Sequence, residues 1–315
     1  MARYIFKRIL LLLPVIVGVS LFIFIAMDLA PGNEIDAVYG ESVDAETYAR
    51  LIHEYGYDRS VFYRYGKYML DFIRGDFGQS SHLQCSVASA YFSRLPATAF
   101  LALMAIIVAH VISIPLGILS ARKAGTLTDN ASMVFALLGL SIPNFWLGLM
   151  LIMAFSLYIK LFPSGGINGF KSVILPAITV GTGLTAVITR TTRSSMVDVL
   201  SQDYLRTARA KGVSEKAVIN KHALKNALIP IITVSGSQFA TTLGGAVLTE
   251  NVFAWPGVGR LTVEAINYRD VKLATGSLLM TTIISCVMML IVDILYAYID
   301  PRIKAKYQHH KKRKK

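Results

Sequence analysis

Residues 9–29 read ILLLLPVIVGVSLFIFIAMDL and carry a single charged residue, Asp28, one position before the end. A helix rises about 1.5 Å per residue, so roughly 20 apolar residues cover the ~30 Å hydrocarbon core of a bilayer. The basic residues ahead of this run, Arg3, Lys7 and Arg8, also open secretion signals. Signal cores, however, span about 7–15 residues and end in a small-residue cleavage site. Here the run is longer and leads into Asp28-Leu29-Ala30-Pro31, which predicts an uncleaved first span.

Working outward, five more stretches have the length or apolarity to cross. They run from about Ala97 to Ser120, Ala131 to Ile159, Ser172 to Thr189, Ala227 to Thr249 and Gly276 to Ile299. The one from Ser172 is shorter and carries Pro176, Gly181 and Gly183. Composition agrees: 54% of the 315 residues are hydrophobic, only 16% are charged, and mean hydropathy is +0.53. Soluble domains are nearer a quarter charged. The expected fold is an all-α integral membrane protein of six transmembrane helices.

Most of the excess behind the net charge of +13 is topogenic. Lys and Arg collect in loops that stay in the cytoplasm. With the N-terminus inside, 21 of the 32 basic residues fall on that side, including eight between Arg190 and Lys225 and eight from Arg302 to Lys315. The segment from Ala30 to Pro96 has six basic but nine acidic residues, as suits the outside. Both termini are therefore expected in the cytoplasm, with the chain crossing the membrane several times. The organisation expected is a first helix over 1–30, an extracytoplasmic segment over 31–96, a transmembrane domain over 97–300 with an inner loop at 190–228, and a basic tail over 301–315. The tail can touch anionic lipid; with no folded or aromatic domain beside it, nucleic acid is not an expected partner.

Two connections exceed simple turns. The outer one predicts a helix over Ala45 to Tyr55, with Asp44 as N-cap and Gly56 as stop. Its tyrosines, among them Tyr48, Tyr55, Tyr57, Tyr63, Tyr65 and Tyr68, suit either a headgroup belt or a docking surface. In the inner one, Met196, Leu200, Tyr204 and Ala208 recur every four residues, which sets them on one helical face. Gly212 ends that run, and Ser214 with Glu215 can start a second helix. Small residues at the joint, Ala208, Ala210 and Gly212, would admit another protein's backbone. A hairpin lying on the membrane surface is the competing reading, and the residues alone leave both open.

Tyr204-Leu205-Arg206-Thr207-Ala208-Arg209-Ala210-Lys211-Gly212, then His222-Ala223-Leu224-Lys225-Asn226-Ala227 and Pro230, resemble the coupling motif of ABC-importer permeases of the dipeptide, oligopeptide and nickel branch. Arg206 and Thr207 stand where the broad family has Glu-Ala. The likeness extends along nearly the whole chain. It includes Pro31-Gly32, Gly56-Tyr57-Asp58, Gly75-Asp76-Phe77-Gly78-Gln79-Ser80, Ser141-Ile142-Pro143-Asn144-Phe145-Trp146, Glu250-Asn251-Val252-Phe253 with Trp255-Pro256-Gly257-Val258-Gly259, and Asp300-Pro301-Arg302. Two departures, Asn33-Glu34 and Ser60, lie in the outer segment.

The resemblance implies a permease subunit forming half of a pathway for di- or oligopeptides, with a nickel importer as the alternative. It implies that Tyr204, Arg206, Thr207, Ala208, Ala210, Gly212, His222 and Asn226 couple the chain to an ATPase. Expected partners are a second homologous permease, two ATP-binding subunits, an extracytoplasmic solute-binding protein and the lipid bilayer. No P-loop pattern occurs in the chain, so this subunit is expected to be no enzyme and to hold no cofactor, ATP and Mg being used by its partners. Thr182, Thr185, Ser237, Gln238 and Thr241 are candidates for a polar pathway, though small hydroxylated residues equally serve helix packing. No catalytic residue and no metal site is expected. Cys85 and Cys286 fit no ligand spacing, and His110, His222 and His309-His310 are too poor in neighbours to hold a metal. Asp293, an acid inside the last span, reads first as structural. An intramembrane enzyme would need paired acids or a nucleophile in the spans, and an ion-coupled carrier would favour buried acids and internal repeats.

Overall fold

The computed structural model describes residues 2–30, 33–39 and 43–299. Pro31-Gly32, Asp300-Pro301-Arg302 and the basic tail with His309-His310 lie outside the described residues. Five helices are long and apolar enough to span: α1 (Ala2–Leu29), α5 (Val87–Arg122), α8 (Lys171–Leu200), α11 (Leu224–Gly245) and α14 (Val271–Ile299). The stretch expected over Ala131 to Ile159 is instead a bent pair, α6 (Leu127–Ser141) and α7 (Asn144–Leu151), the latter widening into a π-type turn over Ile152–Tyr158. The two halves meet at 90°, and counting them as one span gives six. The break falls at Ile142-Pro143: a proline disfavours helical backbone in the residue before it, and Ile142 is extended, with φ −84° and ψ 123°.

α5 and α8 form the most extensive helix pair of the bundle. Their approach is close because glycine stands at the crossing. A Cβ added to Gly181 would come within 2.7 Å of the Ala105 carbonyl oxygen, and one added to Gly117 within 2.5 Å of Thr192 Cβ. α11 packs on α8 and α14, and α1 runs along α14. Lipid offers no hydrophobic drive between helices, so small residues and interhelical hydrogen bonds make these contacts. Ser113 Oγ donates to the Thr185 carbonyl across 3.0 Å. His110 joins its own helix through Nδ1, 2.7 Å from the Ile106 carbonyl, to α11 through Nε2, 2.8 Å from Ser235 Oγ. This histidine is hydrogen-bonded packing.

At one end of the bundle, Val87, Ala90 and Tyr91 of α5 pack with α13 (Val258–Asn267) and the start of α14. The same end carries α2 (Glu34–Tyr39), α3 (Ala45–Tyr55) and α4 (Val61–Ile73). α3 has the bounds its sequence predicts: the Asp44 carboxylate accepts from Thr47 N at 2.8 Å, and Gly56 closes the helix at φ +74°. That capping bond holds the Asp44 carboxyl below its ordinary range. α5 starts at Val87, so the expected boundary at residue 96 falls inside it, past a Ser86 cap that accepts from Ser89 N. α12 (Val247–Val252) and α13 escape the apolar count because they are short. Within α12, Glu250 is fully buried: Thr98 Oγ1 donates to it at 2.6 Å, and Arg260 N of α13 at 3.0 Å. Beside it Trp255 Nε1 donates to the Ala97 carbonyl at 2.9 Å.

Candidate functional site: the helix between α8 and α11

At the opposite end, α8 runs out to Leu200, the chain breaks at Ser201-Gln202, and α9 (Asp203–Ala210) begins. The four-residue periodicity from Met196 to Ala208 therefore does not describe one helix. Met196 is buried on α8, whereas Tyr204 is 43% exposed on α9. The periodicity could not reveal the break because it carries no glycine or proline. Gln202 is extended, and Asp203 sits in the first turn, where the dipole favours an anion.

Leu205 anchors α9. It is fully buried in a cluster with Ala121 of α5, Met196 of α8, and Val218, Ile219, Ala223 and Ala227. Ala208 packs half-buried against the same cluster. Arg206, Thr207 and Ala210 stand exposed on the other side. A second tie is polar: Asn226 Nδ2 donates to Tyr204 Oη at 2.7 Å and to the His222 carbonyl at 3.3 Å. Tyr204, His222 and Asn226 thus meet, although 18 and 22 residues separate the second and third from the first.

α9 stops at Gly212, as expected. Gly212 has φ +77°, its N–H donates to the Arg209 carbonyl at 2.9 Å, and Val213 N donates to the Ala208 carbonyl at 3.2 Å. That pair of bonds is a Schellman cap, and the left-handed residue it requires is usually glycine. Ser214 has the expected extended backbone, but its hydroxyl makes no capping bond. Glu215 serves the turn instead, receiving Arg209 Nε at 3.0 Å and the second guanidinium nitrogen at 3.1 Å. The expected second helix is only three residues, α10 (Glu215–Ala217). A π-type turn over Val218–Ala223 then carries it into α11. The segment is a packed corner leading into α11 rather than a free hairpin.

An ion pair joins α8 to α6. Arg193 of α8 grips Asp129 of α6 with Nε at 2.7 Å and a terminal nitrogen at 2.6 Å. Ser120 of α5 donates to the same carboxylate, as does Gly125 N at 2.9 Å. Nothing in a single sequence signals a pairing across 64 residues.

The five pathway candidates stand in different surroundings on α8 and α11. Thr185 is buried between α8 and α5 and donates to the Gly181 carbonyl at 3.0 Å. Thr182 backs onto Gly139 of α6, where an added Cβ would meet its carbonyl oxygen at 2.8 Å. Ser237 Oγ lies 3.3 Å from Met289 Sδ on α14, Gln238 is half-buried, and Thr241 is exposed. Asp293 is half-buried in α14 and not without a partner. Among the described residues no group of three or more His, Cys, Asp or Glu is placed to hold a metal.

Residues 113–305 match the family described as binding-protein-dependent transport system inner membrane component. Dipeptide transport system permease protein DppB of Alkalihalophilus pseudofirmus is 40% identical, over 96% of this chain and 100% of its own length. Oligopeptide transport system permease protein AppB of Bacillus subtilis is 38% identical over 96% and 100%, and glutathione transport system permease protein GsiC of Escherichia coli 38% over 97% and 100%. Among solved structures, a chain of the MetNI methionine ABC transporter in an inward-facing conformation shares the fold. Its TM-score is 0.56 and its identity 18%, over 68% of this chain and 97% of that one. Spans, corner helix and family together make this chain a member of the binding-protein-dependent transport inner-membrane family: a multi-pass ABC-importer permease and no enzyme, whose ATP hydrolysis belongs to partner ATPases.

Proposed function

We propose that this chain forms one half of the translocation pathway of a di- or oligopeptide importer and that α9 is its coupling element. One observation carries the second part. α9 is tied down on one side by Leu205 and by the Tyr204–Asn226 bond, yet presents Arg206, Thr207 and Ala210 outward. A helix so held transmits a push from a partner's groove directly into α8 and α11. The relatives are named for dipeptides, oligopeptides and glutathione, which favours peptides over nickel. Six spans supply half of a two-fold pathway, so a second homologous permease joins this one, with two ATP-binding subunits holding ATP and Mg and a solute-binding protein outside. The pathway lies between the two permeases, where Thr241 is the most exposed of the hydroxyl candidates. The end bearing α9 faces the cytoplasm, because basic residues mark that side.

Ala210→Arg tests the coupling role. Ala210 is exposed in this chain, so a long cation there leaves the fold intact and obstructs only a docked partner. Ala208→Arg is a poorer probe, since Ala208 packs inward on the chain's own core. The expected result is a fully assembled complex that has lost peptide uptake and substrate-stimulated ATP hydrolysis. Near-normal uptake by Ala210→Arg would refute the role of α9.

A further inference from the structure

α4 has no buried residue, although it is amphipathic and carries five aromatic side chains. Its inner side is committed. Arg64 reaches Asp28 at 2.6 Å, while the adjacent Tyr65 reaches the other way along α1, to Ser20 Oγ at 2.8 Å and the Val17 carbonyl at 3.2 Å. Ser20 and Asp28 stand ~12 Å apart along α1 at the helical rise. α4 meets α1 over a short stretch only, far shorter than the contact of α14 with α1, as a helix that crosses α1 between these points would. The crossing lies at Phe24, whose ring is 5.7 Å from that of Tyr65 and 5.9 Å from that of Tyr68.

That level sets the depth. The apolar part of α1 runs from Leu10 to Leu29, so Phe24 stands about 7 Å from its middle. The hydrocarbon edge is roughly 15 Å from the midplane. α4 therefore crosses a spanning helix below the edge of the hydrocarbon. Its outer stripe suits that depth: Phe62 is 70% exposed, Leu70 57% and Ile73 76%, with Tyr63 beside them and Lys67 between, on a stem long enough to lift its ammonium to the headgroups. α1 also presents bare apolar surface, where Phe22 is 74% exposed.

The geometry points to α4 as an in-plane helix embedded in the outer leaflet, its Phe62, Leu70 and Ile73 face covered by acyl chains rather than by a protein. Amphipathic helices of this kind sink roughly 5–10 Å into the headgroup–acyl boundary. The outer segment then includes a membrane-bound clamp around α1, not only a surface domain.

Spin labels decide it. With Cys85→Ser and Cys286→Ser as background, nitroxides are placed through Phe62→Cys, Leu70→Cys, Ile73→Cys and Arg59→Cys in the assembled transporter, in nanodiscs of phosphatidylethanolamine and phosphatidylglycerol. Molecular oxygen concentrates in the acyl region and a hydrophilic nickel chelate in water. Oxygen collisions are expected to exceed chelate collisions at 62, 70 and 73, with the order reversed at 59. Chelate-dominated relaxation at the three sites would put the face in water. Protection from both relaxants would put a protein there. Either result overturns the proposal.

Discussion

Gly212 shows how much rests on one backbone angle. Its φ of +77° is set by the Schellman bonds, and an added Cβ would meet nothing within 4 Å. A substitution there is penalised by conformation alone, at roughly 1–2 kcal/mol for an L-residue in the left-handed region and more for a β-branched one. That strain is too small to unfold the bundle but large enough to re-aim α10 relative to α9. Gly212→Val is expected to reach the membrane in normal amounts while uptake falls at least as far as in Ala210→Arg. Gly212→Asn, which tolerates the left-handed region, is expected to retain more uptake than Gly212→Val. Equal uptake by Gly212→Val and the parent would show that this angle does not matter.

Among elements, the link between α6 and α8 through Asp129 and Arg193 stands out. The carboxylate is buried, while the guanidinium is a third exposed and so partly screened. Breaking a fully buried pair costs about 3–5 kcal/mol, and this pair belongs below that range. A double-mutant cycle over Asp129→Asn and Arg193→Gln, read from thermal denaturation of the purified protein, is expected to give a favourable coupling energy above about 1 kcal/mol. Additive losses would mean that each residue acts alone. Because α8 leads directly to α9, the same pair fixes the bent α6–α7 element to the helix that carries the corner.

Over the whole molecule the orientation is the open variable, and the basic residues predict it. In sealed cells of a variant lacking Cys85 and Cys286, a membrane-impermeant maleimide is expected to label Arg59→Cys and to leave Lys216→Cys untouched, both positions being exposed. The reverse pattern would turn the molecule over. The sequence alone determined the five unbroken spans, because a bilayer demands ~20 apolar residues wherever the chain crosses, but not the 90° bend between α6 and α7. It also determined the caps of α3 and the glycine stop of α9, which are chemistry within four or five residues. Tertiary structure alone decided which side of α9 is free. Leu205 and Ala208 turn inward only because Met196, Val218 and Ile219, distant in the chain, meet there. The same holds for the Asp129–Arg193 pair, the burial of Glu250 and the crossing of α4 over α1. In each, the partners lie beyond a helical turn, from nine residues between Met196 and Leu205 to 152 between Thr98 and Glu250, and local periodicity carries no information about contacts closed only by packing.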